Sequence, residues 1–419
     1  MSDNNTKNRS YGFALFFIGC LFFSYGFITW ANSALIPYLK LACELTDTQS
    51  YLVATAFFAA YFFMALPSSI VLKWVGFKRG MSVGLLVMAA GALLFLPAAS
   101  TRSYPLFLTG LFVIGSGMAL LQTASNPYAA ALGPMESAAR RISIMGICNK
   151  IAGVISVYVL SGIMLKDADV LKAHLATLNP EEKSVVLDNL AEKVVMPYSI
   201  LAFALALLAV VFFLIKLPEI SDDEIAYQEK AATKRSIFQF PHLILGVVAI
   251  FFYVGVEVIS YDTFTGFGEE LGYKTEYAAT FATYTGYGLL VGYILSIVAI
   301  PKYISQRKAL TVAVLLSMIL VIVASFTSGT TAVVSFALLG FSNSVMWPAI
   351  WPLSLDRLGK FTKTGSALLV MGIVGGAVLT PFYGKVSEWM GSKQLAYLIM
   401  IPCYLYILYF SLAGYRIRK

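Results

Sequence analysis

Lys150, Glu257 and Asp262 fall within stretches that are otherwise almost wholly apolar, and so do the amides Gln122, Asn126, Asn149 and Asn343. An ionisable group in hydrocarbon costs several kcal/mol unless it is paired or faces water, which makes each of the three a functional or a pairing position. Glu257 is followed by Ser260 and Thr263, spacings that place three oxygens on one side of a helix. Such a set suits a hard monovalent cation, with Na+ the candidate metal at Glu257. Two other roles fit the same carboxylate: an ion pair with Lys150, or a hydrogen-bond acceptor for a polar solute. Asp262 is the next acid available for a cation. Buried amides are expensive when unsatisfied, so they read as convergent polar groups of a solute site, which also needs an apolar or aromatic platform. Trp347 and Trp351 lie four apart on one helix face, and Trp30 lies on another helix. The competing reading of these tryptophans is a lipid-facing position or the interfacial aromatic belt. His174 and His242 fall in a loop and at a helix start, which disfavours a histidine proton relay.

The elements that must hold these groups are membrane helices. Apolar residues make up 59% of the chain and charged residues 12%, against roughly 45–50% and about 25% in ordinary globular domains. Apolar runs of the length that a hydrocarbon layer demands of a helix recur throughout. The expected spans are 13–36, 51–72, 81–98, 105–125, 142–165, 196–215, 243–264, 279–300, 309–328, 331–351, 365–383 and 395–414. A membrane β-barrel would show shorter segments of strict alternation. The order also repeats. Asn126-Pro127 is echoed by Trp351-Pro352, and Met145-Gly146-Ile147 by Met371-Gly372-Ile373, 226 residues on. The expected organisation is therefore an all-α membrane protein of twelve transmembrane helices in two pseudo-symmetric six-helix halves. These are 1–216, with an outer loop 166–195, and 242–419, joined by a cytoplasmic linker 217–241. Two parallel halves of this kind imply a secondary transporter with its solute site between them near the bilayer midplane.

Charge fixes the expected orientation. With the N-terminus cytoplasmic, inside segments hold twenty Lys and Arg residues and outside segments nine, so both termini are placed inside. The net charge of +8 is then a matter of topology, and the scattered cations give no nucleic-acid surface. The first apolar run is too long for a signal-peptide core and lacks a small-residue cleavage site. Cys20, Cys43, Cys148 and Cys403 have no metal-ligand spacing. The sequons Asn4-Asn5-Thr6 and Asn8-Arg9-Ser10 lie in the inside tail and the outside loops carry none, which favours a bacterial inner membrane. In the outer loop, Asn179-Pro180-Glu181-Glu182 marks a helix start. That loop is either a lid over the outer mouth or a solvated helical hairpin. The turns Lys73–Arg79 and Lys302–Lys308 match each other, and Lys78, Arg79, Arg307 and Lys308 resemble the basic loops of the major facilitator superfamily, where such turns hold the inner gate. The acid usual in the first copy is missing here. Satisfying the charge rule is the competing explanation of these cations.

Four runs carry a closer resemblance: Gly26-Phe27-Ile28-Thr29-Trp30-Ala31-Asn32, Ala119-Leu120-Leu121-Gln122-Thr123-Ala124-Ser125-Asn126-Pro127-Tyr128, Met145-Gly146-Ile147-Cys148-Asn149-Lys150, and Tyr253-Val254-Gly255-Val256-Glu257-Val258-Ile259. They resemble the fucose/galactose/glucose:cation symporter family, and within it the glucose/galactose branch, over essentially the whole chain. The resemblance implies the major facilitator fold and uptake of a neutral hexose coupled to Na+ or H+, with N-acetylglucosamine or fucose as alternative substrates. For such a sugar the amides and aromatic rings named above give the candidate site: Asn149, Gln122, Asn126, Asn32, Asn343, Trp347 and Trp30. Asn149 matches a sugar-binding position of the fucose permeases. Those permeases carry an Asp and a Glu where this chain has Ser33 and Gln122, neither of which takes up a proton. The departure fits Na+ in place of H+, or a proton site that has moved.

Enzymatic readings find no metal cluster, nucleophile elbow or phosphate-cradling loop. No cofactor is expected beyond the coupling ion. The expected partners are a small sugar, that cation and the lipid bilayer, with a monomer as the working unit. A sensor or uncoupled facilitator is the second class of function, and uptake against a gradient separates it from a symporter.

Overall fold

The computed structural model describes residues 2–132, 138–215, 217, 236–300, 302–356, 358 and 361–417. Among these, regular structure is entirely helical. A spanning chain has no water to bond its peptide groups, so each segment must satisfy them within itself. Among the described residues twelve spans are long and apolar enough to cross a membrane: Gly12–Ala42, Asp47–Leu72, Trp74–Ser100, Tyr104–Ser125, Ile144–Leu175, Pro180–Leu214, Pro241–Asp262, Thr275–Ala299, Gln306–Phe326, Gly329–Leu355, Ala367–Met390 and Lys393–Arg416. An even number places both chain ends on one face, here the terminal end. The opposite face is the hairpin end, after the helices Ala168–Leu175 and Pro180–Glu192 that cross it. Most of the expected linker, 217–241, lies outside the described residues.

Several breaks follow from residue type. The first span is interrupted at Ala31, between Ser2–Trp30 and Asn32–Ala42. The helix Leu52–Leu93 that carries the second span into the third is kinked at Gly76, whose φ of 75° is open to a residue without a Cβ. Prolines inside spans free the carbonyl four residues earlier, and two of these carbonyls find side-chain donors. Pro352 frees the carbonyl of Pro348, which accepts from Gln306 Nε2 at 2.8 Å. Pro381 frees that of Ala377, which accepts from Thr55 Oγ1 at 2.8 Å across the two halves.

The fifth helix is already formed at Ala138, ahead of the apolar run, because Arg140, Arg141 and Ser143 continue the helix without adding to that run. Lys150 thus lies at least ~18 Å along its helix, not about 12 Å, and Glu257 about 24 Å along the one that starts at Pro241. The remaining offset is within reach of a lysine stem. The first and fifth spans touch closely: a methyl group on Gly26 would collide with the Asn149 carbonyl.

Candidate functional site

Lys150 Nζ lies 3.0 Å from Glu257 Oε1, and both residues are buried, at 6% and 8% exposure. The same ammonium sits 4.3 Å from the centroid of the Trp30 ring. Trp30 in turn packs on Tyr261 with ring centroids 4.0 Å apart. Desolvating two charges is costly, and here the mutual attraction and the aromatic face offset it together. The expected oxygen set around Glu257 is not assembled. The Ser260 hydroxyl donates to the Glu257 carbonyl and the Thr263 hydroxyl bonds the Ile259 carbonyl and Tyr397. Hydroxyls on a helix bond locally to the preceding turn, which turns them away from a cation on the carboxylate. An ammonium at 3.0 Å also repels Na+ there.

Asp262, five residues on, is buried at 2% exposure rather than near the surface. Its Oδ1 accepts from Ser33 Oγ at 2.9 Å across the halves, and its Oδ2 has no hydrogen-bond partner among the described residues.

The amides separate into two groups. Gln122 Nε2 donates to Tyr61 at 2.8 Å, and Asn149 Nδ2 donates to the Phe22 carbonyl at 3.3 Å; both are half-buried and retain acceptor capacity. Nearby, the Tyr25 and Ser125 hydroxyls bond at 2.6 Å. Asn343 departs from expectation. It is fully buried and its Oδ1 accepts from Tyr404 at 2.9 Å and from Ser317 at 3.4 Å, so it lies among the ninth, tenth and twelfth spans rather than between the halves. Asn32 is 1% exposed at the break in the first span, beside Ser33. Asn126 is helical, and its side chain falls outside the described ones.

Trp347 and Trp351 stack at 5.0 Å, and Trp347 meets Tyr253 at 6.2 Å. Trp30 is buried, at 3% exposure, in contrast to Trp74 and Trp389, at 82% and 84%. Tyr253 and Tyr261 are the aromatic residues that the sequence reading missed. They flank Glu257 at a spacing of four on each side, the interval that aligns side chains on one helix face. The basic turns form no pair with each other among the described residues. Arg307 donates to the Tyr415 hydroxyl at 3.2 Å, Lys308 and Arg79 are exposed, and Lys78 is half-buried. In the second copy Gln306, through its two bonds to the tenth span, does the anchoring.

At the hairpin end the predicted helix start is in place, with Asn179 and Glu182 forming a reciprocal cap. That hairpin joins both halves. Tyr38 donates to Leu190, Arg102 pairs with Asp188, and Lys172 pairs with Glu269 at 2.6 Å while Asp169 accepts from Thr275. Burial alone would raise the Glu269 carboxyl, but Lys172 and the Thr275 hydroxyl outweigh it and hold it below its ordinary value. Asp47 pairs with Lys40 at 2.5 Å and with Lys393 of the other half at 3.7 Å. Polar bonds join the halves between the Lys150–Glu257 pair and the hairpin end. No cluster of three or more His, Cys, Asp or Glu suited to a metal occurs among the described residues.

Twelve spans enclosing a buried polar and aromatic layer are the setting in which the comparisons decide. The model of the Major Facilitator Superfamily matches residues 17–371. The chain belongs to that superfamily. It is 38% identical to the glucose/galactose transporter of Brucella abortus, over 99% of this chain and 97% of that one. It is 30% identical to the L-fucose-proton symporter of Escherichia coli, over 97% and 94%. The crystal structure of the superfamily transporter FucP in the outward conformation matches with a TM-score of 0.74 and 30% identity, over 98% and 99% of the two chains. The superfamily fold is that of a transporter, not of an enzyme, and the twelve spans make this a multi-pass membrane protein.

Proposed function

We propose that the protein takes up a neutral hexose, glucose or galactose, together with a coupling cation by alternating access between residues 1–216 and 242–419. The observation that carries this reading is the layer between the halves: the Lys150–Glu257 pair, the amides of Gln122 and Asn149, and the rings of Trp30, Tyr253, Tyr261, Trp347 and Trp351. A hexose presents hydroxyls around an apolar ring face, and such a layer offers it bidentate polar partners and an aromatic floor. The similarity to a transporter named for glucose and galactose supports the choice of sugar.

In this reading the hairpin end faces outside, both termini are cytoplasmic, the membrane is a bacterial inner membrane and a monomer suffices. The coupling ion is Na+ or H+. Glu257 is committed to Lys150, which leaves Asp262 as the acid free to carry the coupling charge.

The test is counterflow and accumulation of labelled glucose, galactose, fucose and N-acetylglucosamine in proteoliposomes, with Na+ and pH gradients imposed independently. Accumulation of glucose or galactose against its gradient supports the proposal. Equilibration without accumulation makes the protein a facilitator, and preference for either other sugar moves the substrate assignment.

A further inference from the structure

Two residues that line one small void at the hairpin end each carry a buried polar atom without a partner. Asp262 Oδ2 and Thr265 Oγ1 have no hydrogen-bond partner among the described residues, at 2% exposure for each residue. Both residues line a cavity of about 20 Å³ together with Lys40, Asp47, Tyr51, Glu269 and Lys393. That is room for one water, which needs a few polar partners to be held, and the two atoms supply them. Lys40 and Asp47 are partly exposed, so the void lies just beneath the hairpin-end surface.

The charges around Asp262 are already matched. Ser33 and Lys40 face it from the first span, Asp47 and Tyr51 from the second, Glu269 and Thr265 from the segment after the seventh, Lys393 from the twelfth, and Tyr261 is its own neighbour. Asp47 takes the ammonium groups of Lys40 and Lys393, and Glu269 takes that of Lys172. An ionised Asp262 would therefore be a buried charge held by one neutral hydroxyl, an arrangement that proteins avoid. A protonated Asp262 accepts from Ser33 on one oxygen and donates from the other into the void, which satisfies both. A metal cation at the same place would find two unbonded oxygens, Asp262 Oδ2 and Thr265 Oγ1, where hard cations take on the order of six.

We propose that Asp262 is the site that carries the coupling proton, loaded through the void beneath the hairpin end. Protonation lets that end close onto Ser33, and the ionised carboxylate holds it open to water. The proton is taken from water at the hairpin end onto Oδ2 and given up to water on the far side later in the cycle. This rests on the symport reading above and specifies its ion and its residue. Because the Ser33–Asp262 bond joins the two halves, one protonation event acts on the contact that alternating access must break and remake.

The experiment uses the full chain in proteoliposomes, with a pH gradient imposed in the absence of Na+ and a Na+ gradient imposed separately at equal pH, reading sugar accumulation, sugar-dependent proton uptake and equimolar sugar counterflow. The wild type is expected to show all three. In Asp262→Asn, accumulation and proton uptake are expected to fall at least tenfold while counterflow stays within about twofold, which also shows that the variant is folded. The exchange Ser33→Asp with Asp262→Ser keeps one carboxylate and one hydroxyl at the same contact and is expected to restore proton uptake. Accumulation that persists in Asp262→Asn overturns the proposal, as does loss of counterflow in that variant, which would make Asp262 a sugar or packing residue. Accumulation in the wild type driven by Na+ alone overturns the proton while leaving symport intact. Accumulation under neither gradient sinks the symport reading itself.

Discussion

Glu257 and Asp262 are buried acids on one span, and each reaches across to the other half, but they meet different partners. Glu257 meets an ammonium that is itself covered by the face of Trp30. Asp262 meets a hydroxyl and leaves its second oxygen unbonded. A carboxylate paired with a buried cation cannot change its charge without stranding that cation, so it behaves as a fixed strut between the halves. An acid whose partner is neutral can gain or lose a proton with no second charge left behind. Chemistry that depends on changing charge therefore belongs to the less satisfied acid, and mechanical connection to the better satisfied one.

The largest effect expected from this contrast is on the strut. Lys150→Ala leaves Glu257 as an uncompensated buried charge and should destabilise the folded protein by about 3–5 kcal/mol, read as a loss of thermal and denaturant resistance in detergent. The double variant Lys150→Met with Glu257→Gln should recover more than half of that loss, because neither charge remains. Equal stability of Lys150→Ala and the wild type would break the comparison, since the pair would then be dispensable.

A smaller effect is expected at the sugar. Asn149 is half-buried and spends one N–H on the Phe22 carbonyl, which leaves its remaining donor and its oxygen for a solute. Asn149→Ala should raise the half-saturating sugar concentration more than tenfold, in line with about 1–3 kcal/mol for a buried polar group that loses its partner. Transport assays with glucose at varied concentration measure it. An unchanged constant would leave the polar layer to Gln122 and the Lys150–Glu257 pair.

The spans were legible because hydrocarbon thickness imposes a length and apolar residues report it directly. The cap at Asn179 was legible because it is local. The pairing of Lys150 with Glu257 stayed one of three readings because depth along a helix was counted from the apolar run. Arg140 and Arg141 continue the helix without contributing to that run. Asn343 was misplaced for another reason: a span that is apolar all round does not say which neighbour each face will meet, and this amide turned towards Tyr404. Tyr253 and Tyr261 were passed over as ordinary apolar content, although their spacing from Glu257 aligned all three. Ser33 was read as a lost carboxylate, and only the fold shows an acid of the other half bonded to it.

The smallest effect sharpens the contrast at its edge, because Glu269 lines the same void as Asp262 but is an ordinary paired carboxylate. Its folded-state value lies below the ordinary 4.5, held down by Lys172 and Thr275 against the opposing effect of burial. The stability contributed by such a group is present above the ordinary value and is lost as pH falls through the lower, folded one. Acidification below about pH 4.5 should therefore loosen the bond between the hairpin and the segment after the seventh span. The pair is partly exposed, with Lys172 at 41%, so the effect should stay under about 1 kcal/mol. Protonation of Asp262 has the opposite consequence, closing the same end, so closure should pass through a maximum as pH is lowered. Fluorophores on Val170→Cys and Tyr277→Cys, both exposed positions, would read the separation. Glu269→Gln should remove the acid-side opening and leave the closing limb, whereas Asp262→Asn should remove the closing limb and leave the opening one. A separation that changes monotonically with pH in the wild type would mean that the two acids do not act in opposition.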